Sequence, residues 1–399
     1  MPMMESLAEA ATVLRRRGSA SGFAALLLLA LPLAGCRPHD FPQYPPDYRE
    51  YMYVTNGGSN TVSVYDVVNV RLDQELTVGH DPVALAPSLT RNEIYVVNQG
   101  ASGELGSVSV INAETNRLAA TIPVRRRPAA IALGPKGDLA YVANTGSNSV
   151  SIVDLVKRRE VGVIPVGEEP VALSLSPDGD SLVVANRRSG SVSIIDPANR
   201  TIRGSFNGCP GANDAVVLPD SSKAFIACSA GHQMMAIALA RPKTHPDSKD
   251  AVEALLDVGR GPVKIALKPD GGEVFVVNSL SDTISEVITG TDDVLGAYMM
   301  GDDPVFGLVS RDNSLLYVGN LHSQDVIIYS IDDGKRIGSV HVGDGPSAMA
   351  FSAAGHLLFV VDSRSGDVAV VRTSTSSLFT LLPAGTNPNA IADKAFKVQ

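Results

Sequence analysis

The sequence predicts an all-β fold, a β-propeller of four-stranded antiparallel blades, eight in number with seven as the alternative. Three observations carry this. A strand, polar turn and strand motif recurs from Tyr53, Tyr95, Tyr141, Val183, Phe225, Phe275, Tyr317 and Phe359, at spacings of 42, 46, 42, 42, 50, 42 and 42 residues. Such a period suits a four-stranded blade. Each repeat divides into four short apolar runs separated by turn residues, and the two ends of the chain carry complementary fragments of one repeat.

The motif is clearest at Tyr141 to Asp154, Y-V-A-N-T-G-S-N-S-V-S-I-V-D, with close copies at Tyr53 and Val183. In the repeat from Pro128, P-A-A-I-A-L is a short inner strand, and a turn at Lys136-Gly137-Asp138 follows. Pro177-Asp178-Gly179 and Pro269-Asp270-Gly271 show the same turn chemistry more plainly. Leu139 to Asn144, Ser149 to Asp154 and Glu160 to Val166 complete the unit. The second strand is apolar almost throughout, as expected of a sheet covered on both faces. The third alternates Val or Ile with Ser, which suits close packing on a neighbouring sheet. A lone sheet of this kind leaves one face wet, whereas a radial arrangement buries both faces of every blade.

The first copy starts at a second strand and lacks an inner one. The C-terminal G-T-N-P-N-A-I-A from Gly385 matches the inner-strand pattern and has no successor. Pairing the two closes the ring. Eight second strands and eight inner strands give eight blades; seven remain if the divergent stretch around Phe225 forms no full blade.

Before the repeats, Arg15 to Arg17 form a basic cluster, Phe23 to Leu33 is apolar, and Leu33-Ala34-Gly35-Cys36 follows. This order is that of a secretory signal, too short to span a bilayer. L-A-G-C resembles the bacterial lipobox, which implies acylation of Cys36 and cleavage before it. With Arg37 rather than Asp next, the resemblance implies the outer membrane. The expected organisation is a signal peptide at 1–36, a proline-rich tether at 37–50 and a propeller at 51–396.

Y-V-T-N stands intact at Tyr53 to Asn56, and the repeats from Tyr53 to Ala392 resemble the YVTN β-propeller family. The resemblance specifies fold more than role, since its members include cell-surface and periplasmic proteins of many kinds. The chain departs from the motif at Cys228 and Asp362, where the repeated asparagine is replaced.

Composition excludes several classes. With a formal charge of −9, non-specific nucleic-acid binding is disfavoured. There is no Trp, which argues against a Trp-signed propeller and against a stacking surface for sugars or bases. C-x-x-C-H, paired C-x-x-C and H-E-x-x-H are missing, so no cofactor or metal is expected. No catalytic constellation stands out.

The candidate sites cluster on one face, where outer strands pass to the next inner strand and second strands pass to third. Asn56, Asn98, Asn144, Asn186, Asn278 and Asn320 lie at its rim, either as a ligand ring or as amides closing their own turns. Arg125, Arg126 and Arg127, with Arg187 and Arg188 beyond, make a basic side opposite Asp302, Asp303 and Asp344. That polarity suits an acidic partner or ligand; the alternative is surface charge balanced by Glu168 and Glu169. His80, His232 and His322 map to the same face on separate blades. Cys209 and Cys228 are brought together by the hairpin around Asp220-Ser221, and an oxidising compartment makes them a disulfide pair. Arg241 to Glu253 is the largest insertion and falls on the opposite face.

These observations lead to the expectation of a monomeric, lipid-anchored periplasmic binding or scaffolding propeller with a protein or small-molecule partner. The alternatives are a propeller enzyme, lactonase-like or dependent on a quinone or haem cofactor, and a structural coat component.

Overall fold

In the computed structural model, residues 42–398 apart from Pro242 are described. The expected signal peptide, the acylated Cys36 and the start of the tether lie outside the described residues. Thirty-two described strands form eight antiparallel sheets of four. Blades 2 to 8 are continuous in sequence, at residues 82–123, 128–165, 170–207, 212–257, 262–299, 304–341 and 346–383. The divergent stretch around Phe225 forms the full blade 5, which settles the number at eight.

Blade 1 is composite. Its second, third and outer strands are Tyr48–Asn56, Thr61–Asp66 and Arg71–Thr77, and its inner strand is the C-terminal Pro388–Lys397. Val54 pairs with Ile391 and Tyr53 with Ala392. The inner strands touch in succession round a closed circuit, with the C-terminal strand between those of blades 8 and 2.

The first strand of the ring begins at Tyr48. Tyr48 to Glu50 are already strand, because the long C-terminal strand reaches Lys397 and offers Ala395 to Lys397 as ladder partners. Tyr44 then stacks on Tyr48, with ring centroids 4.8 Å apart, and its hydroxyl lies 3.3 Å from His356 Nε2 of blade 8.

Burial follows from position in the blade. Second and third strands are buried along nearly their whole length, whereas the outer strand of blade 1 alternates exposed and half-buried residues. Each interface is a separate apolar layer: Tyr53, Val62 and Val64 of blade 1 meet Ile94, Val96 and Ile111 of blade 2. Tyr53 is wholly buried, and its hydroxyl donates to Asn116 Oδ1 at 2.6 Å. In every blade the ladder between third and outer strands shifts register, as between Ile152 and Val153. Such bulges strengthen the local twist that turns each blade's outer edge.

The third residue of the inner strand is Ala in five blades, Ala84, Ala130, Ala172, Ala348 and Ala390, short enough for eight strands to converge. Blades 5, 6 and 7 place Asp214, Lys264 and Phe306 there. Lys264 Nζ lies 3.2 Å from Asp214 Oδ2 and 5.6 Å from the Phe306 ring centroid. Asp214 Oδ2 also accepts the Ile265 N–H at 2.9 Å, so the larger groups satisfy one another at the axis.

Candidate functional site

The face carrying the outer-to-inner and second-to-third connections, called the upper face, is built by one scheme repeated around the ring. The outer-to-inner loops, G-x-x-P in six of the eight blades, present consecutive N–H groups to the segments after the second strands. In blades 7 and 8 the first goes to the residue ending that strand, from Gly301 to Asn320 Oδ1 at 3.1 Å and from Gly343 to Asp362 Oδ2 at 3.0 Å. The second goes to a serine three residues further on. Arg126, Glu168, Arg260, Asp302, Asp344 and Thr386 donate in this way to Ser147, Ser189, Ser281, Ser323, Ser365 and Ser59, at 2.9–3.2 Å. The third crosses to the preceding blade, from Asp81, Glu169 and Asp303 to Asn60, Asn148 and Asp282 at 2.9–3.0 Å. Those acceptors have positive φ, a conformation Asn and Asp tolerate better than most residues.

All six repeat asparagines are wholly buried. Their amides donate chiefly to the third strand's side chains, not only to nearby backbone: Asn56 to Ser63, Asn98 to Ser109, Asn144 to Ser151, Asn186 to Ser193 and Asn278 to Ser285, at 2.8–3.0 Å. Asn320 donates instead to Asp325 at 2.9 Å. The reason is the Ser alternation of the third strand, which aims hydroxyls at the amide. A wholly buried amide has no surface to offer a ligand, so these residues shape the loops rather than the contact surface.

Two blades vary the scheme. In blade 5 the strand ends at Cys228, which forms a disulfide with Cys209 of the facing loop, with Cα atoms 4.8 Å apart. A covalent bond there replaces amide-to-loop packing. In blade 8 the strand ends at Asp362, wholly buried, with Oδ2 accepting the Gly343 N–H at 3.0 Å. Burial and the neighbouring Asp367 push its carboxyl far above the usual range.

The arginines divide into paired and unpaired groups. Arg187 and Arg188 face Glu169 and Glu168 at 3.7 and 3.5 Å. Arg125 pairs with Glu160 at 2.7 Å, on the outer strand of blade 3, rather than with Glu168 or Glu169. Arg126 and Arg127 are exposed and make no ion pair among the described residues. Across the ring, Asp303 Oδ2 lies 3.1 Å from His322 Nδ1, and Arg364 Nη2 lies 3.1 Å from His322 Nε2. Since a guanidinium only donates, Nε2 accepts and the imidazole proton sits on Nδ1, toward Asp303. Arg364 is also 3.8 Å from Asp344, so the acidic side is partly neutralised. His80, His232 and His322 stay on separate loops. Among the described residues no group of three or more His, Cys, Asp or Glu is placed to hold a metal ion.

The sequence reading missed the serines that capture the loop N–H groups, the Asp362–Asp367 pair and the axial Asp214–Lys264–Phe306 group. The serines were findable, since Ser stands three residues past the motif asparagine or its replacement in six repeats.

Residues 118–393 match the YNCE-like beta-propeller family, more than half of the chain. The chain belongs to that family. No curated protein matches the sequence significantly. Solved structures share the fold at low identity. The dihydro-heme d1 dehydrogenase NirN, in complex with DHE, is 16% identical, with a TM-score of 0.70 over 88% of this chain and 76% of that one. Apo AztD from Citrobacter koseri is 13% identical, with a TM-score of 0.66 over 87% of this chain and 98% of that one. Kuenenia stuttgartiensis hydrazine synthase is 20% identical, with a TM-score of 0.55 over 81% of this chain and 92% of that chain. Family membership and these likenesses establish architecture, and propellers of one architecture serve both binding and catalysis.

Proposed function

We propose that the protein is a YVTN-type, lipid-anchored periplasmic propeller that binds an acidic partner on its upper face, beside blades 3 and 4. The carrying observation is the pair Arg126 and Arg127, exposed on a loop whose neighbouring arginines are already matched to glutamates. Two exposed guanidiniums on one short loop favour bidentate capture of carboxylates. Loop N–H groups are largely engaged within the fold, so recognition falls to side chains. The lipobox-like L-A-G-C supports an anchor at Cys36, with the proline-rich segment that follows as the tether, and the outer membrane as its address.

Two measurements test this. Metabolic labelling with an alkyne fatty acid should tag the wild type and spare C36S; equal labelling of both removes the anchor. A poly-glutamate peptide should bind the soluble ring at low salt at least ten-fold more tightly than it binds R126S/R127S, while R187S/R188S has the smaller effect. Unchanged affinity in R126S/R127S ends the docking assignment.

A further inference from the structure

The lower face differs from blade to blade at one place. Residues 239–250 join the third and outer strands of blade 5, where blade 3 uses only 155–158. The longer connection is folded on itself and fastened to the body. His245 N donates to Arg241 O at 2.7 Å, Arg241 N to Ser248 Oγ at 2.7 Å, and Ser248 Oγ to His245 O at 2.6 Å. Its far end is held by Asp250, which pairs with Arg203 at 2.6 Å and accepts the Ala240 N–H at 2.8 Å. Lys243 pairs with Asp180 of blade 4.

The connection walls a groove of about 710 Å³ between blades 5 and 6, within the roughly 300–1,000 Å³ typical of small-molecule sites. Of its acids, Glu253 pairs with Lys223 at 2.8 Å and Asp270 with Lys268 at 3.5 Å, while Asp220 accepts the Ser222 hydroxyl at 2.6 Å and lies within electrostatic reach of Arg241. Lys223 is matched in turn by Asp292 at 2.8 Å. Arg241, His245 and Lys249 also line the groove, and none makes an ion pair among the described residues. Asp247, on the same connection, does not line it.

We propose that this groove binds a small organic anion through a compact oxyanion head, carboxylate or phosphate, held between Arg241 and Lys249. The planar guanidinium takes the head bidentately, and Lys249 adds a mobile point charge. The site is independent of the arginines on the upper face.

Calorimetric titration of the intact ring at low salt with citrate, and separately with inorganic phosphate, tests it. Saturable one-to-one binding of at least one anion is expected, weakened ten-fold or more by R241Q and by K249Q. Lys249 is exposed, so K249Q keeps the test open if R241Q folds poorly. K136Q, an exposed lysine elsewhere on the lower face, should bind as wild type, as should R126S/R127S. No saturable binding of either anion, retained affinity in K249Q, or an equal loss in K136Q overturns the assignment.

Discussion

Asp362 stands directly opposite Asp367 across the ladder between the second and third strands of blade 8. In blade 7 the same two positions hold Asn320 and Asp325, joined by an amide hydrogen bond of 2.9 Å. Only a protonated Asp362 can imitate that donor, because two ionised carboxylates side by side repel in a buried site. Burial first, and Asp367 after it, push the Asp362 carboxyl up to about 8. Folded Asp362 therefore keeps its proton while the unfolded chain loses it. Its contribution is fully present below the ordinary carboxylate range and is lost as pH rises towards 8. Asp362→Asn supplies the donor without the proton. It should raise stability at pH 8 by about 1–3 kcal/mol and flatten the decline between pH 4 and 8, read by urea unfolding at several pH values. A variant less stable than wild type at pH 8 contradicts the shared-proton account.

The Cys209–Cys228 bond closes a loop with a sequence separation of 19. A cross-link of that span stabilises by restricting the unfolded chain, by about 3 kcal/mol. Both cysteines are wholly buried. Cys209→Ala with Cys228→Ala should lower unfolding stability by roughly 2–4 kcal/mol, and a reductant should reproduce the loss in wild type only. Equal urea midpoints with and without reductant show the bond to be dispensable.

Gly79 packs onto Asn98 so closely that a Cβ there would lie 2.6 Å from Asn98 Cγ. Neither atom has room to withdraw, since Asn98 is wholly buried and tied to Ser109. Gly79→Ala should cost about 1–3 kcal/mol, and Asn98→Ala a comparable amount through the lost amide bonds. The double variant should cost less than the sum, because truncating Asn98 clears the space that the new methyl needs. Strict additivity in urea unfolding removes the proposed contact.

Architecture was legible because it is written in periodicity: the 42-residue recurrence, the apolar second strands and the surplus C-terminal strand each speak for a closed ring. The electrostatics of the face were less legible. Arg187 and Arg188 meet Glu169 and Glu168, which lie near in sequence, but Arg125 reaches Glu160 on an outer strand that no spacing rule singles out. Asp362 was visible as a departure from the asparagine column, yet its meaning depends on Asp367, which only the ladder brings opposite. The lower groove was hidden for a similar reason. The insertion is plain in the sequence, but which of its charges lack partners depends on how it folds back on blades 4 and 5.

Closure of the ring supplies the remaining prediction. Blade 1 owns no inner strand until Pro388–Lys397 arrives, and Thr55 Oγ1 meets Asn389 Oδ1 at 2.6 Å near the upper end of the seam. At the lower end Glu50, almost wholly buried, accepts the Ala353 N–H at 2.7 Å and the Tyr48 hydroxyl at 2.5 Å. Ending the chain at Ala384 removes the Thr55–Asn389 bond and the whole ladder to Pro388–Lys397, and leaves the second strand of blade 1, with the buried Glu50, as an unpaired edge. Exposed edges of that kind recruit other chains. The truncated protein should therefore aggregate or lose its cooperative thermal transition, read by size-exclusion chromatography and circular dichroism. Adding the segment 385–398 as a separate peptide should restore part of the transition, because its ladder partners on Tyr48–Asn56 are supplied by the rest of the ring. A truncated protein that stays monomeric with an unchanged midpoint means that the terminal strand does not hold the ring closed.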